Sequence, residues 1–384
     1  MKKVYFDSAA TTQLRKEVIN CITEVLKTEY GNPSSTHSYG RSSKSLLENS
    51  RKEIAKLLNV SASEIIFTSG GTEADNLILS SAVRDLGVKR IISSRIEHHA
   101  VLHTLEWLQK NYKIQVNFVN LTACGYVDYE HLETLLRDTS QKTLVSLMHV
   151  NNEVGNLLDL KKVALLCKEH GALFHSDTVQ SVGHFELDFK EISIDFAAAA
   201  AHKFHGPKGA GFAFIRKNSG LRSLIHGGEQ ERGMRAGTEA VYAIAGMAEA
   251  LKISYQNLEK ERKYITDLKA YFKQQLLATF PDVKFNGGCG DNEQSTYTLL
   301  NVCLPISAEK AMLLLFQLDL KGIACSKGSA CQSGAEGGSH VLNEILSDED
   351  LSKPSIRFSF SSFNNKEEVD YVVGVLKEFI EKGI

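Results

Sequence analysis

Through residue 216 the sequence alternates short apolar runs with amphipathic stretches, and few architectures accept that rhythm. EIIFTS (64–69), KRIISS (89–94), TLVSLMHV (143–150), ALFHSD (172–177), SIDFAAAA (193–200) and GAGFAFIR (209–216) read as strands. Helical stretches lie between them: GGTEADNLILSSAV opens one, another starts near His98, and LKKVALLCKEHG closes at Gly171. Strands that are apolar along their whole length need cover on both faces. A mostly parallel sheet between helix layers supplies it, so the expected class is α/β. After Gly237 the character changes. A long helical stretch over about 239–278 carries charge runs such as NLEKERKY, followed by strands at 297–305 and 354–361 and helices at 308–318 and 366–381. These predict a smaller α+β domain in the C-terminal third, with the extreme N-terminus packed on it. A length of 384 residues fits two domains, at about 100–200 residues each.

Charge narrows the function classes. Lys and Arg number 44 against 46 Asp and Glu, a formal net charge of −2. Such balance argues against a broad grip on nucleic acid or anionic lipid. No window approaches the roughly 18 apolar residues of a membrane span, and no apolar stretch follows the two N-terminal lysines. The seven cysteines are scattered without a CxxC pair. That pattern fits a reducing, cytoplasmic setting better than a disulfide framework, and leaves room for one reactive thiol.

Several motifs sit where the predicted strands end. TSGGTEADN (68–76) passes from strand to helix through glycines, which let backbone amides approach an anion at a helix N-terminus; Gly71 and Thr72 are the candidates, with an ordinary turn capped by Thr72 as the plain alternative. Asp177, in FHSDTVQSVG, ends a buried strand and suits either a helix cap or a cationic ring nitrogen. Gln180 is a capping-box partner or a donor to a ligand oxygen. In RIEHHAVLHT, His98 offers a flat face for stacking or is a satisfied structural histidine. His99 and His103 share a helix face without further ligands at zinc spacing. Lys203 leaves the alanine run AAAAA into HKFHGPKG. A lysine leaving an apolar strand into a pocket has a lowered pKa and the nucleophilic character a Schiff base needs. An anion cradle, a strand-end aspartate, a planar histidine and a confined lysine are together the parts that pyridoxal 5′-phosphate (PLP) requires. Cys331 lies in the Gly- and Ser-rich GSACQSGAEGGS, expected to be an exposed, mobile loop, and is a candidate nucleophile. Cys325 precedes it in IAC, read as strand. Arg357, inside SIRFSFS, needs an anion if buried, either a structural carboxylate or a substrate carboxylate.

Taken in order, YFDSAATT, YGNPSSTHSYG, FTSGGTEADN, EHHAV, VNNEVG, FHSDTVQSVG, AHKFHGPKG, GGEQERGMRAGT, GSACQSG and SIRFSFS resemble the group I (IscS/NifS-like) cysteine desulfurases. These are fold-type I PLP enzymes, and the likeness runs from residue 4 to beyond 360. The resemblance implies a large PLP domain at 15–258 and a small domain at 1–14 and 259–384. It implies that Lys203 holds the cofactor as a Schiff base, His98 stacks on its ring and Asp177 pairs with its nitrogen. Asn152 and Gln180 would meet the ring oxygen, and Gly71, Thr72 and His202 the phosphate. Thr238 would reach the phosphate of a second subunit in a homodimer. Arg357 and Asn152 would bind the carboxylate of L-cysteine, with Cys331 as sulfur acceptor. Sulfur would pass to iron–sulfur scaffold or carrier proteins or to tRNA thiolation, with Cys331 also a transient cluster ligand and no resident metal.

Three positions depart from the family pattern. Ala200 stands where a polar phosphate ligand is usual, Gln332-Ser333 replaces Thr-Ser, and Glu336-Gly337-Gly338 replaces Leu-Glu-Pro. The first predicts a weaker phosphate grip and the last a looser loop. A selenocysteine lyase or another class V aminotransferase-fold enzyme is the alternative on the same fold; GSAC argues against a plain aminotransferase. A non-catalytic sulfur carrier is the alternative of another kind, opposed by Lys203 and Asp177.

Overall fold

The computed structural model describes residues 2–291, 293–327 and 338–382. Strand β1 (Val4–Tyr5) precedes a seven-stranded sheet built from β2 (Ile65–Thr68), β3 (Arg90–Ser93), β4 (Gln115–Phe118), β5 (Thr143–Ser146), β6 (Leu173–Asp177), β7 (Phe196–Ala200) and β8 (Gly211–Ile215). Their order is β2-β8-β7-β6-β5-β3-β4. β3 to β7 pair in parallel, and β8 runs antiparallel to both its neighbours. The chain is thus α/β with a mainly parallel sheet. Successive strand residues face opposite sides, and both sides are buried. Along β7, Phe196 and Ala198 join the core on one face while Ala197 and Ala199 join the other. The alanines keep this strand thin, so the helix Gly71–Leu86 packs directly across β7 and β8.

Because β2 and β3 to β7 point the same way, their carboxyl ends lie along one edge of the sheet. Thr68, Ser93, Ser146, Asp177 and Ala200 are five of those ends. Each is followed by a motif singled out above, which is how a one-dimensional pattern becomes one place.

The C-terminal third has its own apolar core. β9 (Lys284–Phe285) and β12 (Ser355–Ser359) flank β10 (Leu299–Cys303) in antiparallel pairing. β1 pairs in parallel with β11 (Ile323–Ala324), and Val4 and Phe6 join this core. Phe6 completes an aromatic cluster, with its ring centroid 5.8 Å from Phe272, 6.4 Å from Phe358 and 5.2 Å from Phe360. The predicted helix over 239–278 is two helices, Val241–Gln256 and Leu258–Thr279. Asn257 breaks it: its backbone leaves the helical range at φ −107° and ψ 6°, and its side-chain amide donates to the Ile253 carbonyl at 2.9 Å. Glu259 and Glu261 then open the second helix, where acidic groups suit the N-terminal dipole.

β4 was not foreseen. Its residues, QVNF, are exposed to half-buried at the sheet edge, so they lack the apolar run that marks the other strands. Among the described residues, no helix is long and apolar enough to cross a membrane.

Candidate active site

The alanine strand ends in a single turn, Ala201–Lys203. The Lys203 Nζ donates to the carbonyl oxygens of Ala9 at 2.5 Å and Ala10 at 2.9 Å. The SAATT segment is held against this turn by Thr12. Its Oγ1 donates to the His202 carbonyl at 2.9 Å and accepts from the His205 amide at 2.7 Å. The N-terminal segment therefore shapes the lysine's surroundings, a role the sequence did not reveal.

One cavity of about 180 Å³ brings together Gly71, Thr72, His98, Asn152, Asp177, Gln180, His202, Lys203 and Arg357. Every residue selected from the sequence is there except two. Thr238 is exposed and takes no part in the lining. Cys331 lies outside the described residues, as do Gln332-Ser333 and Glu336-Gly337.

Asp177 closes β6, where its Oδ1 accepts from the Val179 amide at 2.9 Å. Burial pushes its carboxyl up to about 6, opposed by that amide and by Lys203. A pyridinium nitrogen beside it would favour the anion. His98 caps its helix and so is a satisfied structural histidine: its Nδ1 accepts from the Ala100 amide at 3.1 Å. Burial, then Lys203, pulls its pKa down to about 4. The ring is thus neutral, flat and fixed at the cavity wall, so capping and stacking are compatible. His202 is likewise drawn to about 4, by burial first and then by Lys203 and Lys208.

Thr72 is not the helix cap; Gly70 is, and the helix begins at Gly71. A Cβ at Gly71 would stand 2.5 Å from Val179 Cγ2, so only glycine leaves this cradle open. The first-turn amides of such a helix are a ready anion site. Gln180 does not complete a capping box: its Nε2 donates to the Ala9 carbonyl at 2.9 Å.

Arg357 is 1% exposed. Its structural partners are Asp7 Oδ1 at 3.0 Å and the Asn152 carbonyl at 2.7 Å. Its Nε is buried without a hydrogen-bond partner. Two of the five guanidinium donors are thus engaged while Arg357 also lines the cavity, so the structural and substrate readings coexist. Asp7 was missed because it comes from the far end of the chain. Cys325 follows β11, and burial pushes its thiol up to about 12, which keeps it protonated and poorly nucleophilic. His99 stacks on His103 at 4.7 Å and against His340 at 4.4 Å. Among the described residues no cluster could hold a metal ion.

An amine, a buried carboxylate, a flat neutral imidazole and a helix N-terminus facing one cavity fit PLP, and the orphan Arg357 Nε fits an anionic substrate. Fold and donor set together define a fold-type I PLP enzyme. The chain belongs to the Aminotransferase class-V family, whose sequence profile matches residues 4–372. It is 38% identical over 383 residues to the cysteine desulfurase IscS of Dictyoglomus turgidum, covering 99% of this chain and 95% of that protein. Its fold matches a NifS-like protein with a TM-score of 0.90 at 34% identity, covering 99% and 100% of the two chains. SspA solved in complex with cysteine matches with a TM-score of 0.79 at 28% identity, covering 94% and 99%.

Ala200 is 2% exposed and lines the cavity beside Gly71. A hydroxyl here would add a hydrogen bond to a charged group, worth about 1.5–3 kcal/mol. Ala200→Ser is expected to slow PLP dissociation by about tenfold or more. An unchanged rate, followed by the loss of absorbance on dilution, would remove Ala200 from the phosphate's surroundings.

Proposed function

We infer that this chain is a PLP-dependent cysteine desulfurase that converts L-cysteine to L-alanine and takes the sulfur as a persulfide on Cys331. The observation that carries this reading is the convergence of Lys203, Asp177, His98 and Arg357 on one cavity. Held by Lys203, the cofactor would supply an electron sink that acidifies the substrate Cα–H and opens Cβ to loss of sulfur.

The residues divide the remaining work. Asp177 would hold the ring nitrogen, His98 would cover the ring face, and Asn152 with Gln180 would meet the ring oxygen. Gly71, Thr72 and His202 would receive the phosphate. Arg357, with its unpartnered Nε, and Asn152 orient the substrate carboxylate. The Lys203 amine would take the α-proton of the substrate and return it during turnover. The Cys331 thiolate attacks the substrate sulfur: the S–S bond forms as the Cβ–S bond breaks. The electron pair passes to Cβ, which gains a proton as the methyl group of alanine.

Two copies would complete the site. Thr238 faces solvent in one chain, which suits delivery to the phosphate of a second. The C-terminal core, separate from the cores on the two faces of the central sheet, supports a large domain at 15–258 and a small domain at 1–14 and 259–384, the latter including Cys331 in sequence. The persulfide then suits transfer to iron–sulfur scaffold or sulfur-carrier proteins in the cytoplasm, or to tRNA thiolation.

Purified protein given L-cysteine and a thiol reductant is expected to release alanine and sulfide in equal amounts. Amino transfer to a keto acid without sulfide, or a marked preference for selenocysteine, would overturn this assignment.

A further inference from the structure

Beside Asp177 the cavity holds a second buried carboxylate that none of the roles above uses. Asp75 lies one turn into the helix Gly71–Leu86 and is 1% exposed. Neither of its oxygens has a hydrogen-bond partner. The Nε2 of His175 stands 3.3 Å from its Oδ1. On the other side of that ring, Nδ1 shares a 2.9 Å hydrogen bond with Ser146 Oγ on β5. His175 lies on β6, two residues before Asp177. Asp75, His175 and Ser146 thus form a chain of side chains running from the cavity back into the sheet.

We propose that Asp75 is a positioning residue for the cofactor's ring nitrogen: with His175 and Ser146 it forms an uncharged chain beside Asp177, leaving Asp177 as the anion that meets the ring. The reason is competition. Carboxylates sharing one dry space do not all ionise, and a single ring nitrogen neutralises one of them. Asp177 is favoured as the anion by the Val179 amide and by Lys203. Asp75 has no such donor. Burial, then Asp177 and Glu97, raises its carboxyl well above the usual range.

Glu97, from the segment after β3, is the third carboxylate. It accepts from Ser94 Oγ at 2.7 Å and the Met148 amide at 3.1 Å. Burial nevertheless pushes it up to about 8. Lys203 after β7, His98 before its helix, His202 and Arg357 are the other titratable groups lining this cavity, and burial first draws His98 and His202 down to about 4. Burial also pulls His175 down to about 3, so its imidazole stays neutral. The proton of the Asp75–His175 pair therefore rests on Asp75, and the 3.3 Å contact is a pairing of neutral groups rather than an ion pair.

This inference rests on the PLP reading, and its test separates the two. Infrared difference spectra between wild type and Asp75→Asn, taken at neutral pH with and without cofactor, are expected to show a protonated-carboxyl stretch that is lost in the variant and shifts in D2O. In the holoenzyme, Asp75→Asn keeps the uncharged shape and is expected to hold the pH midpoint of the cofactor's absorbance. Asp75→Leu removes the polar chain end and is expected to move that midpoint and speed cofactor release several-fold. Rescue by Asn but not Leu separates a polar role from simple packing. An ionised Asp75 in the infrared, or a midpoint shift of about one unit in Asp75→Asn, equivalent to a tenfold change in proton affinity, would overturn the proposal. A chain that binds no PLP would overturn the cofactor reading and the positioning role with it, whereas the cofactor-free spectra report the Asp75 proton in either case, so the two failures are told apart.

Discussion

Lys203→Ala is expected to abolish the covalent hold on the cofactor and to lower turnover by about 10²–10⁴-fold through the lost proton transfer alone. The fold should survive, because the Lys203 side chain is only partly buried and the strand and turn that carry it are fixed by backbone. β7 is hydrogen-bonded on both sides. The turn is held by Thr12 through the His202 carbonyl and the His205 amide. Borohydride reduction followed by denaturation separates the outcomes. Wild type should retain the cofactor on the Lys203 peptide, and the variant should retain none. Cofactor fixed to another lysine of wild type would remove Lys203 from its role. A second amine from outside should restore part of the lost proton transfer, since the cavity left by the side chain opens onto Asp177 and His98.

The second large effect is on stability. Arg51 and Glu231, 1% and 4% exposed, form a bidentate pair at 2.6 and 2.8 Å. Arg51 also donates to the Ile65 carbonyl at 2.8 Å and lies 4.3 Å from the Phe67 ring centroid. Glu231 accepts in addition from the Phe67 amide at 2.8 Å. The segment it anchors is strained: Glu231 and Arg232 have φ of 48° and 58°. Left-handed backbone at two successive non-glycine residues persists only where the surroundings enforce it. A few residues on, Arg235 and Glu73 pair at 2.9 Å, tying the same segment to the first turn of the anion-cradle helix. Arg51→Met would leave Glu231 as an uncompensated buried charge, a loss of about 3–5 kcal/mol. Urea unfolding should show it as a lowered midpoint. The double variant Arg51→Met/Glu231→Gln should recover part of the loss, because no buried charge is left unpaired. Equal losses in the single and double variants would show that packing, not charge, dominates at this site.

How far the sequence could be read depended on how local each signal was. Asp177, His98, Gly71 and Lys203 announce themselves because each is a residue of suitable chemistry at the end of an apolar run, and the parallel sheet gathers such ends. Ala9, whose carbonyl receives both Lys203 and Gln180, carries no such mark. It reaches the cavity through tertiary packing across 194 residues. Asp7 reaches Arg357 in the same way, across 350 residues. Asp75 was within a quoted motif, yet a helical aspartate looks like surface until the helix face that buries it is known. The break at Asn257 was hidden because the apolar stretch before it and the charged run after it both keep helical character. β4 was hidden by its half-exposed edge position. Thr238 shows the opposite case: its sequence context is distinctive, but a single chain gives it nothing to touch in the cavity.

The claim on which the functional reading turns is that sulfur passes to Cys331. One equivalent of L-cysteine, added to the holoenzyme without reductant, followed by proteolysis and mass spectrometry, tests it directly. The expected result is a Cys331 peptide heavier by one sulfur atom, with one alanine formed per modified chain. In Cys331→Ser, cofactor absorbance should remain and alanine should not form. Alanine forming at the wild-type rate in that variant, or sulfur found on another cysteine, would contradict it.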